Sequence, residues 1–395
     1  MTSAKTTSKL GEKLYFVFFI CIVTISILET TTFKFVDLQA YRLISYILLM
    51  LSCLGLLFKA VLLDTDRDVK AKALKACGCI LLAAQATLLT GNMDLFLMYM
   101  VCVGAHGIDA KKILKVYLAE SLSFVIMTTI LALTGIIPNL KYFEHGVYRS
   151  SLGNTYCTDY AARIFFLVLI FLCIYNNCLK IRHIIGLLIV SVAVFIKTFA
   201  RLDFICILLA LILFSFDIIL EKKGSDKFKK KWDSFCSKIG LISMPVAATV
   251  MFFFSWLYSE DNRFLSFVNT VLNNRLKNGH NGFSEFGVTF FGQAVRYIGL
   301  GGSNGHVDGY NFVDCSYLHM LFREGILATV ILIIAYVFLA RKFRINRRIM
   351  YIVALVALNC MIAHHIIEIG NNPLLILLFA EGARLMRPET SKQPS

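Results

Sequence analysis

Residues 180–223 read KIRHIIGLLIVSVAVFIKTFARLDFICILLALILFSFDIILEKK, a stretch with two long apolar runs. Its two apolar runs, 183–200 and 202–220, each approach the length of about 20 residues that an α-helix needs to cross a bilayer. Basic residues flank the pair, and a short polar turn joins the two runs. The pattern predicts two membrane-spanning helices connected by a tight turn.

Similar apolar runs recur along the whole chain. Hydrophobic residues make up 58% of the 395 positions and charged residues 16%, whereas a soluble domain has about 25% charged residues. The sequence therefore predicts an all-α, polytopic integral membrane protein, a single transmembrane domain over residues 1–395 with about twelve spans. The predicted spans are 14–29, 43–60, 73–90, 92–105, 114–134, 161–177, 183–200, 202–220, 239–258, 325–340, 349–367 and 372–386.

The charge of the turns sets the expected orientation. Every second turn is rich in lysine and arginine, and such short loops stay in the cytoplasm, so both termini are predicted to be cytoplasmic. The net charge of +15 is spread over these inner segments. Because it forms no single stripe, nucleic acid is not an expected partner. The first apolar run lacks a small-x-small cleavage site, which indicates a retained span.

Two predicted outer loops are long enough to hold structure: 135–160 and 259–322. The longest inner loop, Glu221 to Lys238, is lysine-rich and amphipathic, and we expect it to lie against anionic lipid. Cys157 and Cys315 are the cysteines expected to face outward. A disulfide between them is possible but is not expected.

The large outer loop contains three recognisable segments. Residues 264–276 have apolar side chains near helical spacing and predict an amphipathic helix. Residues 299–309 are rich in glycine without the lysine of a phosphate-binding loop, which favours a flexible lid or a cluster of turns. Residues 314–325 predict a short helix that begins at Asp314 and ends at Gly325.

Lys197 and Arg201 form the sharpest local signal. Four residues apart, they are expected on one helical face at the outer end of a span, where like charges repel and basic residues are costly. A lipid diphosphate bound between them would relieve both penalties, and arginine can hold phosphate through two hydrogen bonds. Alternatively, both side chains extend to the interface, and Asp203 pairs with Arg201.

Further cations lie in the large outer loop, on the side where cations are otherwise scarce. Arg275 is expected at the end of the amphipathic helix, pointing across a cleft at membrane level. A functional role competes with simple solvation for each of them. The members of this group are Arg275, Lys277, His280, Arg296 and His306.

Asp314 has two interpretations. It either caps the following helix or acts as a base that takes the proton of an attacking sugar hydroxyl. Tyr317, one turn further on the same face, could bind a sugar, whereas His319 points elsewhere and is more often structural. Near the outer end of the eleventh span, His364, His365 and Glu368 offer too few ligands to predict a metal site, which favours a hydrogen-bonded pair.

The sequence resembles the bacterial oligosaccharide repeat-unit polymerases of the Wzy type, which share a fold with O-antigen ligases. The topology carries part of the likeness, with about twelve spans and one large outer loop in the C-terminal half. The residues that carry the rest are Thr198–Asp203, Asn274–His280 followed by Phe286–Gln293, and Val313–Ile326.

The resemblance implies a GT-C-like fold and a glycosyl transfer without a metal or other cofactor. A growing glycan would pass from undecaprenyl diphosphate to a hydroxyl of the next lipid-linked repeat unit, at the outer face of the bacterial cytoplasmic membrane. Arg201 and Arg275 would hold the donor diphosphate and Asp314 would orient or deprotonate the acceptor. Lys197, His280, Arg296, Tyr317 and His319 are the candidate substrate-binding residues. Implied partners are the lipid-linked donor and acceptor, membrane lipid, and possible chain-length and flippase proteins.

Three other functions compete with the polymerase. A ligase would deliver the finished glycan to another acceptor with the same fold. A lipid-linked oligosaccharide flippase would place its charges nearer the middle of the membrane and often has two related halves. A structural or sensing protein would not need outward cations in a cleft.

Overall fold

The computed structural model describes residues 9–35, 39–64, 69–144, 146–303, 307–382 and 385. Within these ranges, nine helices are long and apolar enough to cross a membrane. Most of the predicted spans are therefore confirmed as helices. The nine candidate spans are Lys9–Glu29, Tyr41–Leu63, Val69–Thr90, Ala110–Leu133, Cys157–Ile174, Ile181–Thr198, Arg201–Lys223, Asp226–Trp256 and Gly325–Phe343.

The regular elements of the described residues are mostly helical, and three short 3-10 or π-helical segments, Thr32–Phe35, Lys59–Leu63 and Gln85–Thr90, accompany the α-helices and strands. A two-stranded antiparallel hairpin, which pairs Lys141 with Ser150, is the exception to the all-α prediction. The elements are α1 (Lys9–Glu29), α2 (Gln39–Phe58), α3 (Val69–Ala84), α4 (Asp94–Gly104), α5 (Ala110–Leu133), β1 (Lys141–Glu144), β2 (Val147–Ser150), α6 (Cys157–Ile174), α7 (Ile181–Thr198), α8 (Arg201–Lys223), α9 (Asp226–Trp256), α10 (Arg263–Val271), α11 (Arg275–Glu285), α12 (Ser316–Arg323), α13 (Gly325–Phe343), α14 (Arg347–Asn359) and α15 (Ile376–Phe379).

Apolar side chains cover the outside of the bundle. Along the candidate span Val69–Thr90, for example, Leu74, Leu81 and Leu88 are spaced by seven residues and are 74%, 69% and 79% exposed. A soluble protein would rarely expose such a continuous apolar stripe, whereas lipid favours it. The protein is therefore membrane-embedded.

Helix α6 forms the centre of the bundle. It packs against α5, α7, α8 and α14, and side chains on all its faces, such as Phe165, Leu169 and Ile170, are fully buried. The first turn of α6, the end of α1 and the α7–α8 turn lie on the same side of the bundle. Residues of all three line a pair of adjoining cavities there. We call this side the cleft end. It is the side that the basic turns predict to be outside.

Three of the twelve predicted spans are not long helices. Helix α4 replaces the fourth and has 11 residues, about 16 Å at 1.5 Å per residue, roughly half of the hydrocarbon thickness. Helix α14 replaces the eleventh and ends after 13 residues at Asn359. The twelfth is reduced to the four residues of α15, and part of it lies outside the described residues.

The chain between α14 and α15 is not helical, although the apolar composition of 349–367 predicts helix. Side chains of another helix and of the segment itself satisfy part of its backbone: the Tyr117 hydroxyl of α5 donates to Gly370 O at 2.8 Å, and the Asn372 side-chain amide donates to Ile366 O at 3.1 Å. Further on, Lys342 Nζ donates to the carbonyls of Leu377, Leu378 and Ala380. Irregular backbone at membrane depth is tolerated only where protein supplies such partners.

The end opposite the cleft is held by an ionic network. Asp217, whose side chain is fully buried, contacts both Arg347 and Arg348, and Arg347 also reaches Asp233 at 2.7 Å. The prediction of a loop over Glu221–Lys238 is wrong. Helix α8 runs to Lys223 and α9 begins at Asp226, because the Ser225 hydroxyl caps the Phe228 amide.

Candidate functional site

Two adjoining cavities open at the cleft end. The larger has a volume of about 670 Å³ and the smaller about 120 Å³. Several residues line both cavities. They come from the end of the hairpin, the start of α6, the α10–α11 turn, the residue before the N-cap of α12 and the segment after α14. These shared residues are Arg149, Thr158, Asn273, Arg275, Asp314, His364 and His365.

Arg275 reaches the cavities because the predicted helix over 264–276 is broken. Helix α10 ends at Val271, and Asn273 and Asn274 both have positive φ angles, 51° and 67°. Asparagine adopts this left-handed conformation more readily than most residues do. The turn makes Arg275 the first residue of α11, rather than the last residue of an amphipathic helix as predicted.

The Arg275 guanidinium lies at the junction of the two cavities. Its Nη1 lies 3.4 Å from Asp314 Oδ2, and the two side chains are 11% and 16% exposed. Its Nε donates to Ile362 O at 3.3 Å, and Nη1 donates to Asn273 O at 2.9 Å. The structure thus brings together two of the three residues that were predicted to be catalytic.

Asp314 does not cap the following helix. Cys315 occupies the N-cap position of α12, and no side chain caps the helix. The Asp314 carboxylate instead faces Arg275 and the cavities. Burial, reinforced by this carboxylate, raises the pKa of the neighbouring Tyr310 above its usual range. Gly325, as predicted, follows the end of this helix, with a φ of 86°.

Arg201 lines the smaller cavity, whereas Lys197 lines neither. The prediction of one shared helical face is wrong, because Phe199 has a φ of 50° and separates α7 from α8. Lys197 remains exposed at the end of α7. The Arg201 guanidinium lies 4.9 Å from the centre of the Phe199 ring. Asp203 accepts from the Asn359 amide at 3.1 Å rather than pairing with Arg201.

Arg149 is a third arginine of the site, which sequence reasoning missed. It lies on β2, 6% exposed, where Nε donates to Thr198 O at 2.9 Å and Nη1 contacts Glu144. The first contact ties the hairpin to the carboxyl end of α7, where a cation is favourable. The sequence feature that could have identified Arg149 is its position as a basic residue in the shorter outer loop.

Two histidines and two carboxylates lie together on the floor of the larger cavity. His365 Nδ1 is 2.6 Å from Glu368 Oε2, and His365 Nε2 is 3.7 Å from Asp159 Oδ1. His364 Nε2 is 3.3 Å from Glu368 Oε1. Burial disfavours the charged forms, but the carboxylates of Glu368 and Asp159 raise the pKa of His365 to about 9. The same contacts hold the pKa of Glu368 well below its usual value.

The walls of the larger cavity are aromatic and glycine-rich. Tyr156, Tyr297, Tyr310 and Phe312 line it, together with residues 299–301. The glycine stretch forms a hydrogen-bonded turn as far as it is described, since the Ser303 amide donates to Leu300 O at 3.0 Å, and the Gly302 amide ties the turn to Thr155 O at 3.0 Å. Aromatic faces beside polar groups are suited to binding sugars.

The arrangement combines three arginines, two carboxylates in contact with arginines (Asp314 with Arg275 and Glu144 with Arg149), and an aromatic cavity. No family model, no curated protein and no solved structure matches the chain.

The remaining predicted site residues lie away from the junction. Lys277 lines the larger cavity and pairs with Glu260 at 2.7 Å. His280 contacts Ser255 O at 3.1 Å, and Arg296 is exposed, and neither lines a cavity. His306 lies outside the described residues.

Tyr317 and His319 are buried in the core, 2% and 4% exposed. The Tyr317 hydroxyl donates to Ala357 O at 2.9 Å, and His319 Nδ1 is 3.0 Å from Val313 O. Neither lines a cavity, so the expected contact of Tyr317 with a sugar does not fit the structure. Helix α12 turns its Tyr317 face toward α9 and α14 instead of the cleft. Cys157 and Cys315 are free, fully buried thiols, each next in sequence to a residue that lines the cavities at the cleft end.

Proposed function

We propose that this protein is a glycosyltransferase that polymerises oligosaccharide repeat units carried on undecaprenyl diphosphate. It would act at the outer face of a bacterial cytoplasmic membrane and build a surface polysaccharide. The observation that carries the proposal is the Arg275–Asp314 contact of 3.4 Å at the junction of two cavities, one of which Arg201 also lines. A GT-C-like arrangement with about twelve membrane crossings is part of the same proposal.

The smaller cavity has the charges that a lipid diphosphate requires. Arg149, Arg201 and Arg275 all line it. Arginine binds phosphate through paired hydrogen bonds, and such charge-assisted bonds are about twice as strong as neutral ones. Fixed cations at this point would stabilise the negative charge that develops as the diphosphate leaves.

The surroundings of Arg201 suit the prenyl chain of such a donor. The rings of Phe195, Phe199 and Phe204 stack on one another, with centroid distances of 5.3 and 4.6 Å. Ile196 and Ile205 nearby are more than half exposed, at 66% and 55%. A lipid-facing apolar surface therefore adjoins the arginines, so a carrier lipid can present its diphosphate without leaving the bilayer.

The larger cavity suits the sugars. Its volume of about 670 Å³ lies within the range of roughly 300–1,000 Å³ that is typical of small-molecule sites. Asp314 borders it and would take the proton of the acceptor hydroxyl as that oxygen attacks the anomeric carbon of the donor. The bond from that carbon to the diphosphate breaks, and its electrons leave with the diphosphate held by Arg275 and Arg201.

Substitution in the native cell tests this function. We expect Arg201→Ala and Arg275→Ala each to abolish chain extension, while the amount of protein in the membrane stays unchanged. Lys197→Ala and Arg296→Ala are the matched controls, because both remove a nearby exposed cation that lines neither cavity. Chain length is read from the surface glycan by gel electrophoresis. Wild-type chain length in Arg201→Ala or Arg275→Ala would contradict the assignment.

Deletion of the protein separates the competing functions. Loss of a polymerase leaves single repeat units displayed outside. Loss of a ligase leaves unattached polymer, and loss of a flippase leaves lipid-linked units trapped on the cytoplasmic side. Either of the last two outcomes would overturn the proposed reaction.

A further inference from the structure

We propose that Asp159, His364, His365 and Glu368, which we call the histidine–carboxylate cluster, form a binding site for a divalent transition metal, with Zn²⁺ as the best match. The inference goes beyond the proposed glycosyl transfer, which requires no metal. It rests on the geometry of the cluster and on its access to the larger cavity.

Three residues of the cluster supply a convergent set of ligands. Asp159, His364 and His365 each offer one ligand atom, and these atoms all lie within 4.8 Å of one another. An ion bound at about 2.0–2.2 Å from each ligand needs separations of at most roughly 4.2 Å. Small side-chain rotations close that difference. Two imidazoles and one carboxylate are a ligand set that zinc accepts.

Glu368 supplies the carboxylate that normally contacts the non-ligating ring nitrogen of a zinc-bound histidine. Metal-bound histidines almost always use their other ring nitrogen to contact a carboxylate or carbonyl, which fixes the ring. Here His365 Nδ1 lies 2.6 Å from Glu368 Oε2, while Nε2 faces Asp159 at 3.7 Å. The Asn371 amide in turn donates to Glu368 Oε2 at 2.8 Å. The carboxylate is thus itself held in place.

The two histidines come together because α14 ends early. In a continuous helix, His364 and His365 would project about 100° apart. After the end of α14 their rings are instead 4.1 Å apart, at an angle of 41°. Asp159, from the first turn of α6, completes the set from a distant part of the chain. A bound ion would therefore tie the start of α6 to the segment after α14.

The cluster is accessible and leaves a position open. The side chains of His364 and Asp159 are each 16% exposed, and both line the larger cavity. An ion can enter through that cavity. Three protein ligands leave a fourth position for water or for an oxygen of a bound molecule, which is the pattern of catalytic rather than structural zinc.

Metal content of the purified full chain tests the proposal. The protein is purified in detergent without a polyhistidine tag, stripped with EDTA, incubated with Zn²⁺ and desalted. We expect about one zinc ion per chain by mass spectrometry and a higher melting temperature with zinc than without it. Replacement by Co²⁺ should give the visible absorption of a tetrahedral site.

Variants locate the ion. Asp159→Asn and His365→Gln should lower zinc affinity at least tenfold and abolish the rise in melting temperature. His280→Ala, which removes a histidine at the same end but outside both cavities, should bind like the wild type. Melting curves without metal show whether each variant is folded.

The wild-type protein alone can overturn the proposal. A zinc content near zero after incubation, with no change in melting temperature, would refute it even if a variant fails to fold. Equal zinc loss in His280→Ala and in the cluster variants would also refute it. Because these readouts do not depend on glycan synthesis, their outcome is independent of whether the proposed function holds.

Discussion

Replacing Asp314 with asparagine is expected to strengthen diphosphate binding while it abolishes chain extension. In the free protein, Asp314 Oδ2 lies 3.4 Å from Arg275 Nη1. A phosphate oxygen that binds Arg275 must compete with this carboxylate and also experiences its repulsion. Asparagine is nearly the same size but carries no charge, so it removes both effects.

The contact distance sets the size of the effect. Unit charges 3.4 Å apart attract by about 5 kcal/mol at an effective dielectric constant of 20, and by about 1 kcal/mol in bulk water. Both side chains are slightly exposed, at 11% and 16%, and desolvation offsets part of the attraction. A net gain of roughly 1.4 kcal/mol, or tenfold tighter binding, is therefore expected for Asp314→Asn. Arg275→Ala should lose roughly 2–3 kcal/mol because it removes charge-assisted hydrogen bonds.

The assay measures the binding of a short prenyl diphosphate to the detergent-solubilised protein by calorimetry at constant ionic strength. Wild type, Asp314→Asn, Arg275→Ala and the double variant form a thermodynamic cycle. Asp261→Asn is the matched control, because it neutralises an exposed aspartate at the same end that lines neither cavity. In the double variant, the gain from Asp314→Asn should largely disappear, since its partner is absent.

Weaker binding by Asp314→Asn would refute this reasoning. It would mean that the carboxylate orients Arg275 for the phosphate rather than competing with it. Normal chain extension by the same variant would separately contradict a role for Asp314 as the base.

Three further predictions concern the scaffold. Asp217→Asn should lower the free energy of unfolding by roughly 3 kcal/mol or more, because two arginines lose a fully buried partner. Gly325→Ala should be strongly destabilising, since its φ is 86° and a Cβ would come within 2.4 Å of a backbone nitrogen, whereas Gly186→Ala, with open space around it, should not. Burial raises the pKa of Glu324 to about 6, so the folded state binds its proton more tightly and loses stability as the pH rises from about 4.5 through 6. Glu324→Gln should therefore be stabilised relative to wild type at pH 7.5, by roughly 1–2 kcal/mol, and not at pH 4.5.

Thermal unfolding in one detergent measures all three. An Asp217→Asn protein that melts like the wild type would show that the ionic network is dispensable. Equal effects of the two glycine substitutions would contradict the backbone argument. A difference between Glu324→Gln and wild type that stays constant with pH would mean that the ionisation of Glu324 is not coupled to folding.

Nine spans could be predicted because run length and apolar composition are local properties of the chain. The non-helical segment after α14 could not be predicted, because its partners are distant in sequence: Tyr117 donates to the Gly370 carbonyl, and Tyr336 accepts from the Asn372 side chain. Composition alone makes 349–367 resemble a span. The sequence GNNP at 370–373 is the local signal against a continuous helical segment.

The site was predictable in part for the same reason. Arg201 and Arg275 stand out by charge in regions that otherwise lack it, and both line the smaller cavity. Their exact placement depends on left-handed residues, Phe199 and Asn274, which helical periodicity does not reveal. Arg149 belongs to the shorter outer loop, and Asp159 belongs to the start of a span. Only tertiary packing brings both residues to the cleft.

The non-helical stretch that follows α14 has a consequence for biogenesis. The Gly370 carbonyl in this stretch accepts a hydrogen bond from the Tyr117 side chain of α5, and the carbonyls of Leu377 and Ala380, in and just after α15, accept from the ammonium group of Lys342 on α13. Released into lipid by itself, it would expose those carbonyls to hydrocarbon, which costs several kcal/mol for each group. The translocation machinery therefore cannot partition this stretch into the bilayer as an autonomous unit. It must wait for the preceding helices to assemble, so the floor of the cleft is among the last parts of the protein to mature.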